Sequence, residues 1–480
     1  MRTRGWCLAA AAMLLAGCTV GPKYSKPSVP TPPSYTEQPP AAFKEAPGWK
    51  QAEPADQTLR TDWWTIFGDP ELNDLEARIN VSNQTLKAAD AVFRQARALI
   101  RVNRSSLYPT ISTAPSIAGA RVSQNRPGGT TLTSGYGDFI APIDVNYEVD
   151  TWGRIRRSIA AAREQMQATA ADLETIRLSL HAELAVDYFE LRSLDAQKQL
   201  LDQTLVAYQK ALDLTRNRYT GGLSSAAEVA QAETQLETTR AQDIDVGVAR
   251  AQFEHAVAVL TGSTPETLTL VTKPLQATPP VIPLGLPSQL LERRPDIASA
   301  ERKVAQANEQ IGIAHAAFFP TLLITATGGL EGGSIVNWFN WPSRFWAIGP
   351  SALETIFDAG RRRAIESSAT AGYDVSVANY RQAALDAFRE VEDNLAELRV
   401  LEQEEQTQRA AVAAAERSLN LSMNRYKGGL VTYLEVATAQ TIALQNERTQ
   451  VDLLRRRMDA SVLLIKALGG GWSIAALPTD

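Results

Sequence analysis

The chain has 480 residues, enough for two to four ordinary globular domains. Its formal net charge of −5 and pI of about 5.6 arise from acids and bases interspersed along the whole length, which gives no support to a nucleic-acid partner. Its two cysteines, Cys7 and Cys18, include one in a leader-like stretch, so the remaining chain has no disulfide and must be stable by packing alone.

Arg2 and Arg4 precede an apolar run from Cys7 to Leu15, the plan of an export signal and too short to span a bilayer as a helix. It ends in Leu15-Ala16-Gly17-Cys18, small residues before a cysteine as in a bacterial lipobox. Residues 1–17 therefore read as a lipoprotein signal peptide, and Cys18 as the acylated first residue, carrying an N-acyl diacylglycerol. Thr19, not aspartate, follows the cysteine, which places the anchor in the outer membrane. Residues 18–61 are Pro-rich and polar and read as an extended tether from lipid to body.

A first repeat follows over 62–262. Asp62-Trp63-Trp64 and Gly68-Asp69-Pro70 open one helix from Glu71 to about Ser106. Between about 109 and 150 the period changes to two. From Asp138 to Asp150, Phe139, Ala141, Ile143, Val145, Tyr147 and Val149 alternate with mostly acidic neighbours, a strand with one apolar and one polar face. Its partner is predicted over about Thr110 to Val122, with a hairpin loop over 123–137. Helical periodicity returns at Trp152-Gly153-Arg154 and lasts to Tyr219 without a proline, a rod of roughly 100 Å. Near its far end Leu205, Tyr208, Leu212, Thr215 and Tyr219 follow the 3,4 spacing of a coiled-coil seam. A turn at 217–223 reverses the chain into a helix ending near Leu260.

After a Pro-rich linker, 263–286, the plan recurs over 287–469. Arg293-Arg294-Pro295-Asp296-Ile297 opens its helices, and Phe319-Pro320-Thr321 mirrors Tyr108-Pro109-Thr110. A strand hairpin is predicted over about 320–357, its strands near Thr321–Leu330 and Arg344–Phe357. Trp338, Phe339, Trp341, Phe345 and Trp346 cluster there, where an interfacial aromatic belt would lie. Asn424-Arg425-Tyr426-Lys427-Gly428-Gly429-Leu430 repeats Asn217-Arg218-Tyr219-Thr220-Gly221-Gly222-Leu223 at an offset of 207 residues (424 minus 217). Val412, Ala415, Leu419, Ser422 and Tyr426 take the corresponding seam positions. Residues 470–480 form a tail.

Strands of about ten residues with one apolar face suit a membrane-spanning sheet, and every backbone polar group in hydrocarbon must be paired. Four strands are too few to close a barrel, since the smallest have about eight, so chains must associate. Three chains would supply twelve strands, a choice among multiples at this stage. The three histidines, His181, His255 and His315, lack metal-ligand spacing, and no catalytic constellation or cofactor site beyond the acyl group is evident.

Cys18-Thr19-Val20-Gly21-Pro22-Lys23-Tyr24, the two Pro-Thr dipeptides, Arg294-Pro295-Asp296-Ile297, the doubled NRY-x-GGL turn and the terminal Gly-Gly-Gly-Trp together resemble the TolC- and OprM-like outer membrane factors, specifically the NodT-type efflux lipoproteins. The resemblance covers essentially the whole mature chain. It implies a mainly α fold: a homotrimer with a twelve-stranded outer-membrane β-barrel, four strands per chain, continued by an α-helical periplasmic tunnel. It further implies a passive exit channel, no enzyme, working with an inner-membrane RND pump and a periplasmic adaptor to export drugs or other small solutes. Gly221, Gly222, Leu223, Gly428, Gly429 and Leu430 match adaptor-docking turns. Tyr426 and Glu228 match a tyrosine–carboxylate latch, and Leu434, Glu435 and Thr438 match constriction positions. Val431 and Thr438 depart from the family's arginine and aspartate, which leaves any charge ring to Glu435. Metal-ion efflux and a secretion-system channel are alternatives within the class; a pore-free coiled-coil spacer lipoprotein is the alternative outside it.

Overall fold

The computed structural model describes residues 19–38, 62–121, 123, 135–276, 278–282 and 287–478, so the signal sequence, Cys18 and most of the loop expected over 123–137 lie outside the described residues. The first helical stretch is two helices, not one: α1 (Pro70–Ser82) and α2 (Gln84–Ser105). Asn83 divides them. Its backbone is extended, its side chain accepts from Leu86 N at 2.9 Å and donates to Leu260 O at 2.8 Å, so it caps α2 while holding the end of the return helix.

The predicted strand over Thr110–Val122 is also two pieces, β1 (Thr110–Ser112) and β2 (Ser116–Ala120), both antiparallel to β3 (Tyr136–Val149). Pro115 has no N–H to give the ladder, and Pro142 on β3 has none either. Pairing lapses across them and resumes in the same register: Ser112 faces Asp144 and Ser116 faces Ile140. β4 (Thr321–Gly332) and β5 (Arg344–Leu353) complete one sheet ordered β1/β2, β3, β4, β5. β5 stops at Leu353 rather than Phe357.

Register makes this sheet two-faced. Val145 lies beside Ala326 and Ala326 beside Ile348; Ile143, Gly328 and Trp346 form the next apolar row, Tyr147, Ile324 and Pro350 another. The intervening rows are Asp144, Thr327 and Ala347, then Asn146, Thr325 and Gly349. Residues directly opposite share a face, so the alternation seen on one strand extends over the sheet. Phe339, Trp341 and Trp346 are exposed at or near the end of the sheet away from the helices, and Arg344 lies 3.7 Å from the Trp341 ring centre.

Two helical hairpins of matched length hang from the sheet: α3 (Arg154–Thr220) with α4 (Ala226–Leu260), and α7 (Arg361–Lys427) with α8 (Tyr433–Ala467). At 67 residues, α3 and α7 each span roughly 100 Å. Among the described residues no helix is apolar enough to cross a membrane. Asp150 starts α3 by accepting from Ile155 N and Arg156 N at 2.9 Å each, and Asp358 starts α7 by accepting from Arg362 N at 3.1 Å, with left-handed Gly153 and Gly360 before each helix. α5 (Leu290–Arg293) and α6 (Pro295–Ala316) lead into the second repeat. In the upper part of the helical layer α2 packs on α3, α3 on α6, and α6 on α7.

A buried arginine node sits in each repeat. Arg192 reaches Glu71 at 2.7 Å, Asp195 at 2.9 Å and Val271 O at 2.7 Å, which seats the linker on α3. Arg294 reaches Glu390, Asp296 and Ala467 O. This explains the Arg-Pro-Asp run: Pro295 is the first residue of α6, and Arg294 before it ties α6 to α7 and to the end of α8.

The tether expectation changes for residues 19–38, which are strapped across the body. Val20 N donates to Trp152 O at 3.1 Å, Arg157 donates to Val20 O and Pro22 O, Tyr24 donates to Glu301, and Thr36 N and Glu37 N donate to Glu392. Gly21 lies so close to Gly312 that a Cβ would stand 2.7 Å from its Cα. Arg157, nearly buried and also paired with Glu309 at 2.9 Å, is the hub. Arg157→Ala is expected to release the strap's start and speed tryptic cleavage at Lys23, read by mass spectrometry of limited digests of the folded protein.

Candidate functional site: the paired helical tips

Each tip is a Schellman turn. After α3, Leu223 N donates to Arg218 O at 2.8 Å and Gly222 N to Tyr219 O at 3.0 Å; after α7, Leu430 N donates to Arg425 O and Gly429 N to Tyr426 O, both at 2.9 Å. Only the second glycine of each pair needs to be glycine for its backbone. Gly222 and Gly429 both sit at φ +73°, whereas Gly221 and Gly428 lie at −81° and −77°. Leu223 and Leu430 project from the bends at 72% and 75% exposure, so each tip presents an apolar side chain on a bare backbone turn.

The two return helices start differently. Ser225 and Glu228 make a capping box on α4, but Thr432 gives α8 no side-chain cap. The missing cap comes from the other hairpin: Glu228 Oε1 accepts from Tyr433 N at 3.0 Å. One carboxylate thus closes α4 and caps α8. Burial pushes the Glu228 carboxyl up, but bonds from Ser224, Tyr433 N and Ser225 N outweigh it and hold the group below the usual glutamate value.

Behind the tips Tyr208, Leu212, Leu236, Tyr426, Tyr433 and Val436 form an apolar cluster joining both hairpins. Tyr208 donates to Gln440 O at 3.1 Å, and the Tyr426 hydroxyl meets Thr215 Oγ1 at 3.2 Å. The expected Tyr426–Glu228 pair is not hydrogen-bonded within this chain: among the described residues Tyr426 turns inward to Thr215 while Glu228 serves the α8 backbone. Glu435 is not a free charge: it accepts from Arg425 at 2.8 Å and from Ser422 at 3.2 Å within its own hairpin. Leu434 and Thr438 are exposed one turn apart on α8, with Thr438 Oγ1 donating to Leu434 O. Sequence reasoning overlooked Tyr433 and Arg218 as contact residues, although Arg218 lies within the repeated motif.

The histidines take structural roles where contacts are seen. His181 is buried, 2.6 Å from Glu76 and stacked on Trp64 at 4.3 Å, and burial lowers its pKa to about 4. His315 meets Glu366 at 2.8 Å. No cluster of three or more metal-capable residues occurs among the described residues.

A sheet with one lipid-compatible face, continued by roughly 100 Å helical hairpins with paired tips, defines a membrane duct with a long extension on one side. A profile of the outer membrane efflux protein family matches residues 77–263 and 286–470, and the chain belongs to that family. It is 31% identical over 470 residues to the toluene efflux pump outer membrane protein TtgF of Pseudomonas putida, covering 96% of each chain. It is 30% identical over 463 residues to the cation efflux system protein CusC of Escherichia coli K12, covering 96% of this chain and 98% of the relative. Among solved structures it resembles the outer-membrane channel OprN, with a TM-score of 0.85 at 27% identity over 95% of this chain and 100% of that one. The chain is an outer membrane efflux channel protein whose helical part extends into the periplasm.

Gly429→Ala is expected to destabilise its turn by about 1–2 kcal/mol, the cost of a left-handed non-glycine residue. Gly428→Ala, whose Cβ would meet Arg425 O at an ordinary 3.5 Å, should change it little. Amide exchange at Leu430 tests the contrast: roughly 5- to 30-fold faster in the first variant only. The Glu228 link has a definite pH sign. A depressed folded pKa contributes stability fully above the ordinary 4.5 and loses it as pH falls through the lower folded value. Glu228→Gln should therefore speed exchange in the first turn of α8 at neutral pH, and the difference from the parent protein should vanish at strongly acid pH.

Proposed function

We propose that three copies of this chain close into the outer-membrane exit duct of a tripartite RND-type efflux system. The sheet's two unpaired edges carry this reading. Among the described residues nothing pairs with the free side of β1/β2 or of β5, and no spanning structure survives in lipid with an open edge. The helical layer is open in the same places, at α2 and at α7, where Val92, Leu99 and Val102 on one edge and Val375 and Leu385 on the other stand exposed. A head-to-tail ring that joins β5 to the next copy's β1/β2 also brings α7 to the next copy's α2, and three copies give twelve strands around a polar lumen.

In this assembly the acyl chains on Cys18 enter the bilayer beside the strand–helix junction, where Thr19 packs against Gly153. The six tips point toward the inner membrane. Bare backbone at Gly221, Gly222, Gly428 and Gly429, with Leu223 and Leu430 beside it, suits close approach by the helical tips of a periplasmic adaptor. Leu434, Glu435 and Thr438 line the narrowed end. The pump supplies the energy, and this chain, which is no enzyme and needs no cofactor beyond its lipid, conducts drugs or other small solutes.

Palmitate-labelled protein extracted from membranes provides the test. Release should require detergent, native mass spectrometry should return three acylated chains, and planar bilayers should show a small closed-state conductance. A monomer released without detergent would overturn the reading.

A further inference from the structure

We infer that Arg218 is the positioning residue that holds the two tips of each protomer together in the closed arrangement, and that its duplicate Arg425 does not share the task. The inference rests on the channel reading above and adds a residue to it. Arg218 and Arg425 occupy the same place in the two NRY motifs, one residue before Tyr219 and Tyr426. Their contacts diverge completely. Arg425 turns back to Glu435 of its own hairpin, a half-exposed pair. Arg218 leaves its hairpin: Nη1 donates to Lys427 O at 3.1 Å, and the guanidinium carbon lies 4.7 Å from the centre of the Tyr426 ring.

Three features make this contact a clamp. Lys427 is the last residue of α7, so its carbonyl belongs to the negative end of a 67-residue helix, where a cation is favoured. The Tyr426 ring beneath the guanidinium is 1% exposed, while the equivalent Tyr219 is 49% exposed, so only the second copy offers a fixed aromatic platform. The bend closes over the group at Gly429, where a Cβ would make ordinary contact with Arg218 Nη2 at 3.7 Å. Among the described residues the buried Arg218 Nε has no hydrogen-bond partner, a desolvation cost accepted to seat the group.

Parting the tips bares the Tyr426 ring and an end carbonyl of α7 together. Among the described residues Glu228 to Tyr433 N and the Tyr426 hydroxyl to Thr215 Oγ1 are the other polar links at this level, and both join the first hairpin to the second. Farther from the tips, Tyr208 to Gln440 O and Gln235 to Thr441 keep the hairpins joined, so release of Arg218 frees the tips without separating the rods.

Full-length protein from membranes, carrying spin labels at Thr220→Cys and Lys427→Cys, tests the proposal by pulsed distance measurement alongside single-channel recording. Arg218→Ala should lengthen and broaden the intraprotomer distance and raise open probability by roughly 30-fold, the lower end of what one exposed cation–π contact and one charged hydrogen bond together supply. Arg218→Lys keeps the charge but loses the planar stack, so an intermediate shift is expected, which preserves the test if the alanine variant fails to assemble. Arg425→Ala should leave the distance where it was. Arg218 variants that match the parent protein in both distance and conductance would overturn the clamp. A lengthened distance in a protein whose parent never conducts would support the clamp and sink the channel reading instead.

Discussion

The rest of this structure depends on the need to pair every backbone N–H and C=O of a sheet that faces hydrocarbon. Each chain supplies a sheet whose register aligns Ile143, Val145 and Tyr147 with Trp346, Ile348 and Pro350 on one face and leaves Asp144, Asn146 and Thr327 on the other. That sheet is amphipathic but incomplete, with free edges at β1/β2 and β5. The helices inherit the same incompleteness, since α2 and α7 are the ends of a layer that also lacks its neighbours. Sheet and helices are open at matching positions, so one head-to-tail operation completes both.

Carrying a rod of roughly 100 Å from such a sheet demands a stiff junction. Asp150 and Asp358 start the two rods in the same way, and the strap of residues 19–38 binds the junction to α6 and α7 through Arg157, Glu301 and Glu392. Lower down, Arg192 and Arg294 each gather carboxylates and a main-chain carbonyl from separate segments. Such nodes add little net stability but fix how the segments meet; the fully buried Arg192–Asp195 pair is the costly one to break, about 3–5 kcal/mol when one partner is removed.

At the far end the duplicated turns are alike in backbone and different in bonding. Both close through the same Schellman hydrogen bonds around a φ of +73°. Glu228, however, caps both α4 and α8, and Arg218 crosses to α7 while Arg425 stays home. Duplication produced two equal turns, and contact between them removed the equality: Tyr426 is buried between the hairpins while Tyr219 stays half exposed.

By itself the sequence determined the elements whose cause is local: the proline-free rods, the Gly-Gly reversals, the alternating strand from Asp138 to Asp150, the repeat, and hence the family and the need for association. Two breaks escaped it. Asn83 stops a helix because its side chain is shared between Leu86 N and Leu260 O, and Leu260 is 177 residues away; Pro115 interrupts a strand at the point where Pro142 faces the same stretch of ladder. The site shows the same division. Its glycines and leucines could be read from the motif, since a turn is a local matter. The partners of Tyr426, Glu228 and Arg218 were decided only by tertiary structure, because each lies on the other hairpin about 205 to 211 residues away, at a distance that periodicity cannot see.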